Sequence, residues 1–493
     1  MTARPGDAAP PPLDPRLFGE PARALLDELS RSRITVMGLG RFGGALGLIR
    51  FLAALGAEIT VTDKAPAADL ARSVEAVAGL PGVALRLGGH AEEDFARCDT
   101  LFVNPAVAPG NPFVARARAR GARIATEIGL ALALSPCDVI GVTGTSGKST
   151  TSALCAAMLS ASGVRVLFGG NVGASLLDRP SELAAAEAVV LELSSFQLHH
   201  LDIRGLPYRP PRIAALVNVH CDHLNWHGAF GEYARCKRLI FAPRDDEAWA
   251  VAAGDDGLTL PWALRSGRRV FAVGSAPAGA AASIAGAGEI VLRRDGRAEP
   301  LFARRDLALP GAINLANASF AAATAVLAGA THTGILDAVR TFRGLPHRIE
   351  HAGTINGIAF VNSSVATTPL EAARTLDAVA GVTVLLAGGA AEKNLPFDVL
   401  ARAARRGTRC AVFFGQTAPQ LREAFKREAP SVRTIVMEDM ARAFEAAAAE
   451  ARSGDTVILA PGAPSFDAFL NFQARGDAFK DAVRRLGQAA VRV

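Results

Sequence analysis

The sequence predicts an α/β fold made of three domains. Short apolar runs alternate with helical patterns along almost the whole chain, which is typical of parallel sheets covered by helices. The length of 493 residues suggests about three domains. Two glycine-rich turns, at 38–43 and 144–150, each follow an apolar run and precede a helical pattern. The predicted boundaries are a disordered N-terminus at 1–15 and domains at 16–135, 136–343 and 344–493.

The composition limits the classes of function. Half of the residues are hydrophobic and 20% are charged, which is typical of a globular chain with ample core material. A net charge of +6 is small for this length, so it suits small anionic substrates and does not argue for nucleic acid. No apolar stretch is long enough to span a membrane, so we expect no membrane insertion. Six cysteines without a C-x-x-C pair predict reduced thiols and a cytoplasmic protein, which we expect to be a monomer.

The first domain begins with a strand at 33–37, followed by the turn Gly38-Leu39-Gly40-Arg41-Phe42-Gly43 and a helix. A second strand at 59–62 ends at Asp63. This order is typical of a Rossmann-like unit, with phosphate at the helix N-terminus and the acidic side chain near a ribose or base. The pattern does not distinguish NAD from another nucleotide-linked ligand. For the 344–493 domain, strand candidates separated by helical patterns predict a second Rossmann-like, largely parallel sheet.

The second glycine-rich turn carries the most functional information. An apolar strand at 139–142 leads into Thr-Gly-Thr-Ser-Gly-Lys-Ser-Thr at 143–150, and a helical pattern runs from Thr150 to Leu159. Backbone N–H groups at a helix N-terminus bind anions. Lys148 can reach the outer phosphates of a nucleotide, and the Ser149 hydroxyl can hold Mg²⁺. The candidate residues are Gly144, Thr145, Ser146, Gly147, Lys148, Ser149 and Thr150. The alternative is an ordinary Gly/Ser turn.

Two further strands of this domain end in metal-binding residue types. Glu192 lies near the end of a strand pattern at 188–193, after four apolar residues, and His223 follows an apolar run at 213–219. Ligands gather beyond the carboxyl ends of parallel strands. A carboxylate and an imidazole at adjacent strand ends could therefore hold a divalent cation beside the nucleotide.

The histidines near the second of these strands could instead indicate zinc. His220, His223 and His227 have a spacing that would suit one helical face, but the segment follows a strand and ends in glycine. We favour Mg²⁺, because the phosphate-binding turn supplies an anionic partner. On this interpretation His220 and His227 are polar loop residues.

Four other polar residues follow strands or lie in helical patterns. Asn171 follows a short strand at 164–168 and could touch a bound phosphate or carboxyl group. Lys237 lies in an amphipathic helical pattern, and the local pattern alone predicts a solvated lysine. Lys393 follows a strand and turn, where its ammonium group could pair with a substrate carboxylate. Ser465 is predicted to cap the next helix, which would also present backbone amides to an anion.

These motifs, in this order, resemble the Mur ligase family over about residues 33–485. The motifs that carry the resemblance lie at 143–150, 169–171, 192–198, 222–223, 344–350 and 471–476. The resemblance implies an ATP-dependent ligase that adds D-glutamate to UDP-N-acetylmuramoyl-L-alanine through an acyl phosphate, in peptidoglycan precursor synthesis. The phosphate-binding turn would hold ATP.

The resemblance also implies roles for individual residues. The residues expected to bind the UDP end of the substrate are Gly38, Leu39, Gly40, Arg41, Phe42, Asp63, Lys64 and Asn171. The residues expected to contact ATP outside the turn are Asn314, Asn317, His347 and Arg348. The expected Mg²⁺ ligands are Ser149, Glu192, His223 and Lys237, the last as a carbamate. The residues expected around glutamate are Thr367, Lys393, Ser465, Phe466 and Phe472.

The chain departs from the family in two places. The family often has Asn-Asp-Ser-Lys-Ala-Thr-Asn where this chain has Asn-Ser-Ser-Val-Ala-Thr-Thr at 362–368, so Ser363 and Val365 replace an acidic and a basic group. Ile313 stands where the family has a histidine. The identity and hand of the amino acid therefore stay open.

Three alternatives follow. A related ligase could add L-glutamate or another amino acid, or extend folate with glutamate. A non-catalytic nucleotide-binding homologue would fit the loss of the two charged groups at Ser363 and Val365. A nicotinamide dehydrogenase would use the turn at 38–43 and Asp63, but it leaves the phosphate-binding turn unexplained.

Overall fold

A computed structural model describes residues 12–40, 45–173, 175–201, 205–309, 311–391 and 395–490. The chain divides into two units, Met1–Phe342 and Arg343–Val493. The first unit contains two sheets and the second contains one. The predicted α/β class is confirmed. Most of the predicted disordered N-terminus lies outside the described residues, and Asp14 caps a short 3₁₀ helix at Pro15–Leu17.

The first sheet has five parallel strands in the order β3-β2-β1-β4-β5. Its strands are β1 (Arg33–Met37), β2 (Glu58–Asp63), β3 (Val83–Leu87), β4 (Thr100–Val103) and β5 (Arg123–Ala125). Its helices are α1 (Glu20–Ser30), α2 (Leu46–Ala54), α3 (Ala71–Val77), α4 (Glu92–Ala96), α5 (Pro112–Ala119) and α6 (Glu127–Leu134). The strand order reverses beside β1, and the glycine-rich turn after β1 therefore lies at the position where such sheets bind ligands.

The second sheet has nine strands in the order β14-β13-β12-β11-β10-β9-β6-β8-β7. Its strands are β6 (Val139–Thr143), β7 (Val166–Gly170), β8 (Ala188–Glu192), β9 (Ile213–Leu216), β10 (Trp249–Ala253), β11 (Arg269–Val273), β12 (Ala282–Ala285), β13 (Glu289–Arg294) and β14 (Arg297–Ala303). Its helices are α7 (Lys148–Ala161), α8 (Pro180–Ala185), α9 (Ser195–Leu201), α10 (Leu224–His227), α11 (Phe230–Arg238), α12 (Thr259–Leu264), α13 (Ala312–Leu327) and α14 (His332–Thr341). Strands β6 to β12 are parallel, and β13 and β14 continue the sheet as an antiparallel ribbon.

Two apolar cores hold the first unit together. One core packs α7, α13 and α14 against one face of the second sheet. The other is continuous between the first sheet and the opposite face of the second, from Ile49 of α2 to Leu191 of β8. Strands β6 and β8 are buried at every position because both faces of the sheet are covered, which explains their uninterrupted apolar runs.

The second unit is built on a six-stranded sheet with the order β15-β16-β20-β17-β18-β19. Its strands are β15 (Glu350–Ile355), β16 (Ile358–Asn362), β17 (Thr383–Gly388), β18 (Thr408–Phe414), β19 (Arg433–Val436) and β20 (Thr456–Leu459). Its helices are α15 (Pro369–Ala378), α16 (Asp398–Ala404), α17 (Ala418–Glu428), α18 (Met440–Glu450) and α19 (Phe472–Ala490). Only β15 is antiparallel to its neighbour. Within the described part of the chain, no helix combines the length and apolar character that crossing a membrane requires.

Candidate active site

The phosphate-binding turn joins the buried strand β6 to helix α7. Gly147 precedes the helix with φ +81°, a left-handed conformation that favours glycine. A Cβ atom there would lie 2.3 Å from Oδ1 of Asn317, a buried residue of α13. Helix α7 starts at Lys148, two residues before the predicted start, and the Lys148 Nζ donates to the Thr145 carbonyl oxygen at 3.0 Å. The turn therefore lies at a helix N-terminus with a half-buried lysine in its first turn.

An asparagine that the sequence did not single out holds this turn in place. Asn218 lies two residues after β9, and its Oδ1 accepts the backbone N–H groups of Thr145 at 3.1 Å and Ser146 at 3.0 Å. Its Nδ2 donates to the Ser146 carbonyl oxygen at 3.1 Å. Its position just beyond a strand end was the signal that could have found it.

Glu192 ends β8 with a buried carboxylate. Its Oε1 accepts a hydrogen bond from Asn171 Nδ2 at 3.0 Å, and its backbone oxygen accepts the Asn171 N–H at 2.8 Å. Its Oε2 is buried and has no hydrogen-bond partner among the described residues. A buried polar atom without a partner costs about 1–3 kcal/mol, and a carboxylate oxygen is a preferred ligand of hard cations. The carboxylate therefore fits a cation site, with Asn171 fixing its orientation.

Lys237 is buried, so the local expectation of a solvated lysine is wrong. Its side chain is 1% exposed, although α11 is an amphipathic helix with a polar outer face. The Nζ donates to the Gly144 carbonyl oxygen at 2.7 Å and lies 4.9 Å from the centre of the Tyr233 ring. The amphipathic pattern identified the helix correctly, but it could not show that this lysine faces the phosphate-binding turn.

The surroundings of Lys237 favour its neutral form. Burial lowers the pKa of its ammonium group well below the ordinary value of 10.5, and the nearby charge of Lys148 lowers it further. The carboxylates of Asp222 and Glu192 oppose this shift. These four side chains therefore influence one another electrostatically around the turn.

The sequence had suggested that Glu192 and His223 lie at adjacent strand ends. That expectation is wrong. Strand β6 lies between β8 and β9, so the phosphate-binding turn separates the two ends. Strand β9 also stops at Leu216, earlier than expected, and His223 precedes α10 in a left-handed conformation with φ +51°. Its side chain is about half exposed, with Nε2 4.0 Å from Asp222 Oδ2.

The expectation that His227 is a polar loop residue is wrong. It is the last residue of α10, buried, with Nε2 3.0 Å from the Ser195 hydroxyl oxygen and its ring stacked on Phe196. Burial lowers its pKa to about 4. His220 is exposed, as expected. Within the described residues, His220, His223 and His227 do not form a common three-ligand group, so the zinc alternative for these residues has no structural support.

The two asparagines expected to contact ATP lie on α13 beside the turn. Asn317 Nδ2 donates to Asn314 Oδ1 at 3.3 Å, and its Oδ1 packs against Gly147. Ile313, which replaces a family histidine, is 59% exposed.

In the first sheet, Asp63 stabilises the turn after β1. Its Oδ2 accepts the Gly40 N–H at 3.0 Å and its Oδ1 accepts the Ala65 N–H at 2.9 Å. Gly38 has φ +95°, and a Cβ there would lie 2.9 Å from Asn104 Cβ. Leu39 is buried and Lys64 is exposed. The predicted residues Arg41 and Phe42 lie outside the described residues.

In the second unit, His347 and Phe472 lie close together. His347 is buried with φ +63°, its N–H donates to Glu350 Oε2 at 2.8 Å, and its ring centre is 6.0 Å from that of Phe472. Its Nδ1 lies 3.1 Å from Asn362 Nδ2. Arg348 is exposed.

The prediction that Ser465 caps the next helix is wrong. The segment after Ser465 forms turns, so α19 starts only at Phe472, and Asn471 caps it by accepting the Ala474 N–H at 2.8 Å. The Ser465 hydroxyl is buried without a hydrogen-bond partner in the described part of the chain. Thr367 is half-buried and Phe466 is 41% exposed. Lys393 lies outside the described residues.

The departure at 362–368 is accommodated within the fold. Ser363 is buried with its Oγ 3.3 Å from Thr375 Oγ1, and Val365 is half-buried. Arg475, fully buried and not predicted as a site residue, holds this segment: its Nε donates to Ser364 Oγ at 3.0 Å and its Nη2 to the Ser364 carbonyl oxygen at 3.0 Å.

Solved structures with the same fold include two ligases from Thermotoga maritima. UDP-N-acetylmuramate-alanine ligase from Thermotoga maritima has a TM-score of 0.56 at 17% identity, covering 92% of this chain and all of that chain. A MurF ligase from Thermotoga maritima in complex with ADP has a TM-score of 0.52 at 18% identity, covering 79% of this chain and 95% of that one.

Sequence comparison gives the family. Three family models match: a MurD-like N-terminal domain at 32–126, a Mur ligase middle domain at 142–325 and a Mur ligase glutamate ligase domain at 347–462. UDP-N-acetylmuramoylalanine–D-glutamate ligase from Symbiobacterium thermophilum is 36% identical, over 92% of this chain and 98% of its own length. The ligase of the same name from Roseiflexus is 38% identical, over 92% and 99%. Because the three models together span most of the chain and these relatives match it over nearly their whole length, the chain belongs to the Mur ligase family.

Proposed function

We propose that this ligase adds D-glutamate to UDP-N-acetylmuramoyl-L-alanine, with conversion of ATP to ADP and phosphate, in peptidoglycan precursor synthesis. The names of relatives at 36% and 38% identity support the substrates. The structural observation that carries the proposal is the grouping of Lys148, Glu192 and Lys237 around the phosphate-binding turn: both lysines donate to carbonyl oxygens of the turn, and Glu192 pairs with the end of the strand that leads into it. We further propose that the ligase acts in the cytoplasm as a monomer. Its six cysteines are free thiols in the structure, and we expect them to stay reduced: Cys98, Cys137, Cys155, Cys221, Cys236 and Cys410.

In the first step, the substrate carboxylate attacks the γ-phosphorus of ATP in line, which forms an acyl phosphate and releases ADP. Lys148 and the N–H groups at the start of α7 stabilise the charge on the transferring phosphoryl group. Little covalent chemistry is required of the protein, so the positioning of the two substrates dominates the rate. The hydrogen bonds that Asn218 Oδ1 accepts from the turn give it a fixed shape for this task.

The residues present fit a magnesium ion, because Glu192 offers a buried oxygen without a partner next to a phosphate-binding turn. Ser149, Glu192 and His223 would hold the ion. When bound, Mg²⁺ supplies positive charge that offsets the charge of the phosphates.

Lys237 has the properties of a lysine that forms a carbamate. Its neutral amine adds to carbon dioxide and releases one proton, and the product is a carboxylate that would support a second Mg²⁺. A lowered pKa is required, because an ammonium group has no lone pair. Arginine could not substitute, since a guanidinium group forms no such carbamate.

In the second step, the amine of glutamate attacks the acyl carbon and phosphate leaves. The proposed UDP-binding residues are Gly38, Leu39, Gly40, Arg41, Phe42, Asp63, Lys64 and Asn171. The proposed ATP-binding residues outside the turn are Asn314, Asn317, His347 and Arg348. The proposed glutamate-binding residues are Thr367, Lys393, Ser465, Phe466 and Phe472. A second candidate, a ligase for another amino acid, is motivated by Ser363 and Val365.

The test is phosphate release from ATP and UDP-N-acetylmuramoyl-L-alanine with a panel of amino acids of both hands. We expect release with D-glutamate and none with L-glutamate. A different amino acid as the best substrate would refute the assignment of D-glutamate. Lys148→Ala, with the fold intact by circular dichroism, should lose ADP formation, and undiminished turnover would refute the role of the turn.

A further inference from the structure

A second group of side chains that could bind a metal lies between α9 and α11, next to the candidate active site. His199 of α9 and Glu232 and Cys236 of α11 bring their ligand atoms together, all within 4.8 Å of one another. Cys236 Sγ lies 3.6 Å from His199 Nδ1 and 3.5 Å from Glu232 Oε1, and His199 Nδ1 lies 3.7 Å from Glu232 Oε1. None of these three residues has a role in the proposed ligase reaction.

The distances match the edges of a tetrahedral zinc site. With Zn–S, Zn–N and Zn–O bonds of about 2.3, 2.05 and 2.1 Å at tetrahedral angles, the S–N, S–O and N–O separations are about 3.6, 3.6 and 3.4 Å. The observed separations, 3.6, 3.5 and 3.7 Å, agree within a few tenths of an ångström. The three ligand side chains themselves would therefore need only a small adjustment to bind the cation.

The neighbours of the group suit a metal site. Arg235 Nε donates to Glu232 Oε2 at 2.9 Å. This hydrogen bond can remain when a cation binds to Oε1, and it would fix the orientation of the carboxylate. Arg235 Nη2 also donates to Glu232 Oε1 at 2.9 Å and lies 3.9 Å from Cys236 Sγ, so it would move away from both atoms when the cation binds. The ring of Trp226 meets that of His199 edge to face, with the centroids 5.3 Å apart. Cys236 is fully buried, whereas Glu232 is one-third exposed, which leaves a route for an ion.

The group is distinct from the Mg²⁺ site, although Cys236 and Lys237 are consecutive residues. Successive side chains of an α-helix point about 100° apart. Lys237 faces the phosphate-binding turn through Gly144, and Cys236 faces α9 through His199. An ion at this group would link α9, which follows β8 and Glu192, to α11, which carries Lys237.

We propose that His199, Glu232 and Cys236 bind a borderline-soft divalent cation of the zinc class, with the fourth position open to water. The Cys236 thiol loses its proton to solvent on binding, because the thiolate is the ligand. Nitrogen and sulfur ligands favour such a cation over Mg²⁺.

Cobalt(II) titration of the full chain tests the proposal, since cobalt takes tetrahedral sites and a thiolate ligand gives an ultraviolet charge-transfer band. We expect the band to saturate at one ion per chain and to disappear when zinc is added. Cys236→Ser should abolish the band. Cys98→Ser, at a thiol between α4 and β4, is the matched control and should leave the band unchanged. Glu232→Gln keeps the side-chain size and should weaken cobalt binding by about tenfold or more.

Two results would overturn the proposal. One is the lack of a thiolate band at saturating cobalt in the wild-type protein. The other is a band that Cys236→Ser leaves intact while Cys98→Ser or another cysteine substitution removes it. Cobalt at the Mg²⁺ site gives no thiolate band, so the measurement separates the two sites. If Cys236→Ser does not fold, as judged by circular dichroism, Glu232→Gln and His199→Gln replace it as the test: each should weaken cobalt binding, read from the thiolate band, by about tenfold or more, and wild-type affinity in both would overturn the proposal.

Discussion

Alanine at Gly147 should damage the phosphate-binding turn in two ways that can be measured separately. The left-handed conformation, φ +81°, costs an L-residue about 1–2 kcal/mol. In addition, the new Cβ would lie 2.3 Å from Asn317 Oδ1, and buried overpacking costs about 1–3 kcal/mol. Asn317 is 4% exposed and hydrogen-bonded to Asn314, so it has little freedom to move away. We therefore expect Gly147→Ala to lower the free energy of unfolding by roughly 2–5 kcal/mol.

The same helix offers a matched control. Gly163 follows the other end of α7 with φ +84°, and nothing lies within 4 Å of its added Cβ. Gly163→Ala should therefore cost only about 1–2 kcal/mol. Adding Asn317→Ala to Gly147→Ala should recover part of the extra loss, because it removes the overlapping atom.

The assay has two readouts. The first is urea unfolding, read from the transition that shifts to higher urea concentration when MgATP is added. The second is the affinity for MgADP, measured by calorimetry. Affinity should fall at least about tenfold in Gly147→Ala, because the turn must shift, and stay at the wild-type value in Gly163→Ala. The reasoning is refuted if Gly147→Ala matches Gly163→Ala in both stability and affinity.

Three further predictions follow from other contacts. Lys237→Ala should lose most ligase activity and regain part of it with added short carboxylates, which stand in for the carbamate; unchanged activity without rescue would refute the role. Asn218→Ala leaves the Ser146 N–H without its acceptor, while the Thr145 N–H keeps the Asn218 backbone oxygen, so stability should fall by about 1–3 kcal/mol and MgADP affinity should fall too, as read by urea unfolding and calorimetry; a wild-type affinity would count against it. Burial raises the pKa of Glu127 to about 7 from 4.5. The folded chain therefore keeps a proton that the unfolded chain releases, and stability contributed by this group is lost as pH rises from 4.5 to 7. Glu127→Gln should weaken that decline in urea titrations across this range, and parallel pH profiles of the two proteins would contradict the assignment.

Local patterns predicted much of the fold, because apolar runs and glycine-rich turns depend on neighbouring residues. Strand β6, the turn and α7 followed directly from the sequence at 139–159. Strand β12 did not, because its segment of the sequence carries no apolar run of this kind. It is rich in Ala and Gly, and only pairing with β11 and β13 makes Ala282–Ala285 a buried strand.

The site was harder to predict where it depends on tertiary structure. The positions of Glu192 and His223 on either side of β6 depend on strand order, which spacing along the chain does not contain. The burial of Lys237 depends on which face of α11 meets the turn. The position of Asn218 beyond a strand end could have marked it as a candidate, but its contacts with the backbone N–H groups of the turn depend on the fold. The resemblance to a known family suggested the proposed role of Lys237, and burial in the structure lowers its pKa in the direction that this role requires.

The central claim is that ATP at the Lys148 turn activates a substrate carboxylate as an acyl phosphate. The most direct measurement uses UDP-N-acetylmuramoyl-L-alanine labelled with heavy oxygen in its terminal carboxylate, with ATP and D-glutamate. One labelled oxygen should appear in the released inorganic phosphate for each amide bond formed, because the carboxylate oxygen that attacks phosphorus leaves with it. Amide formation with unlabelled phosphate would contradict the account.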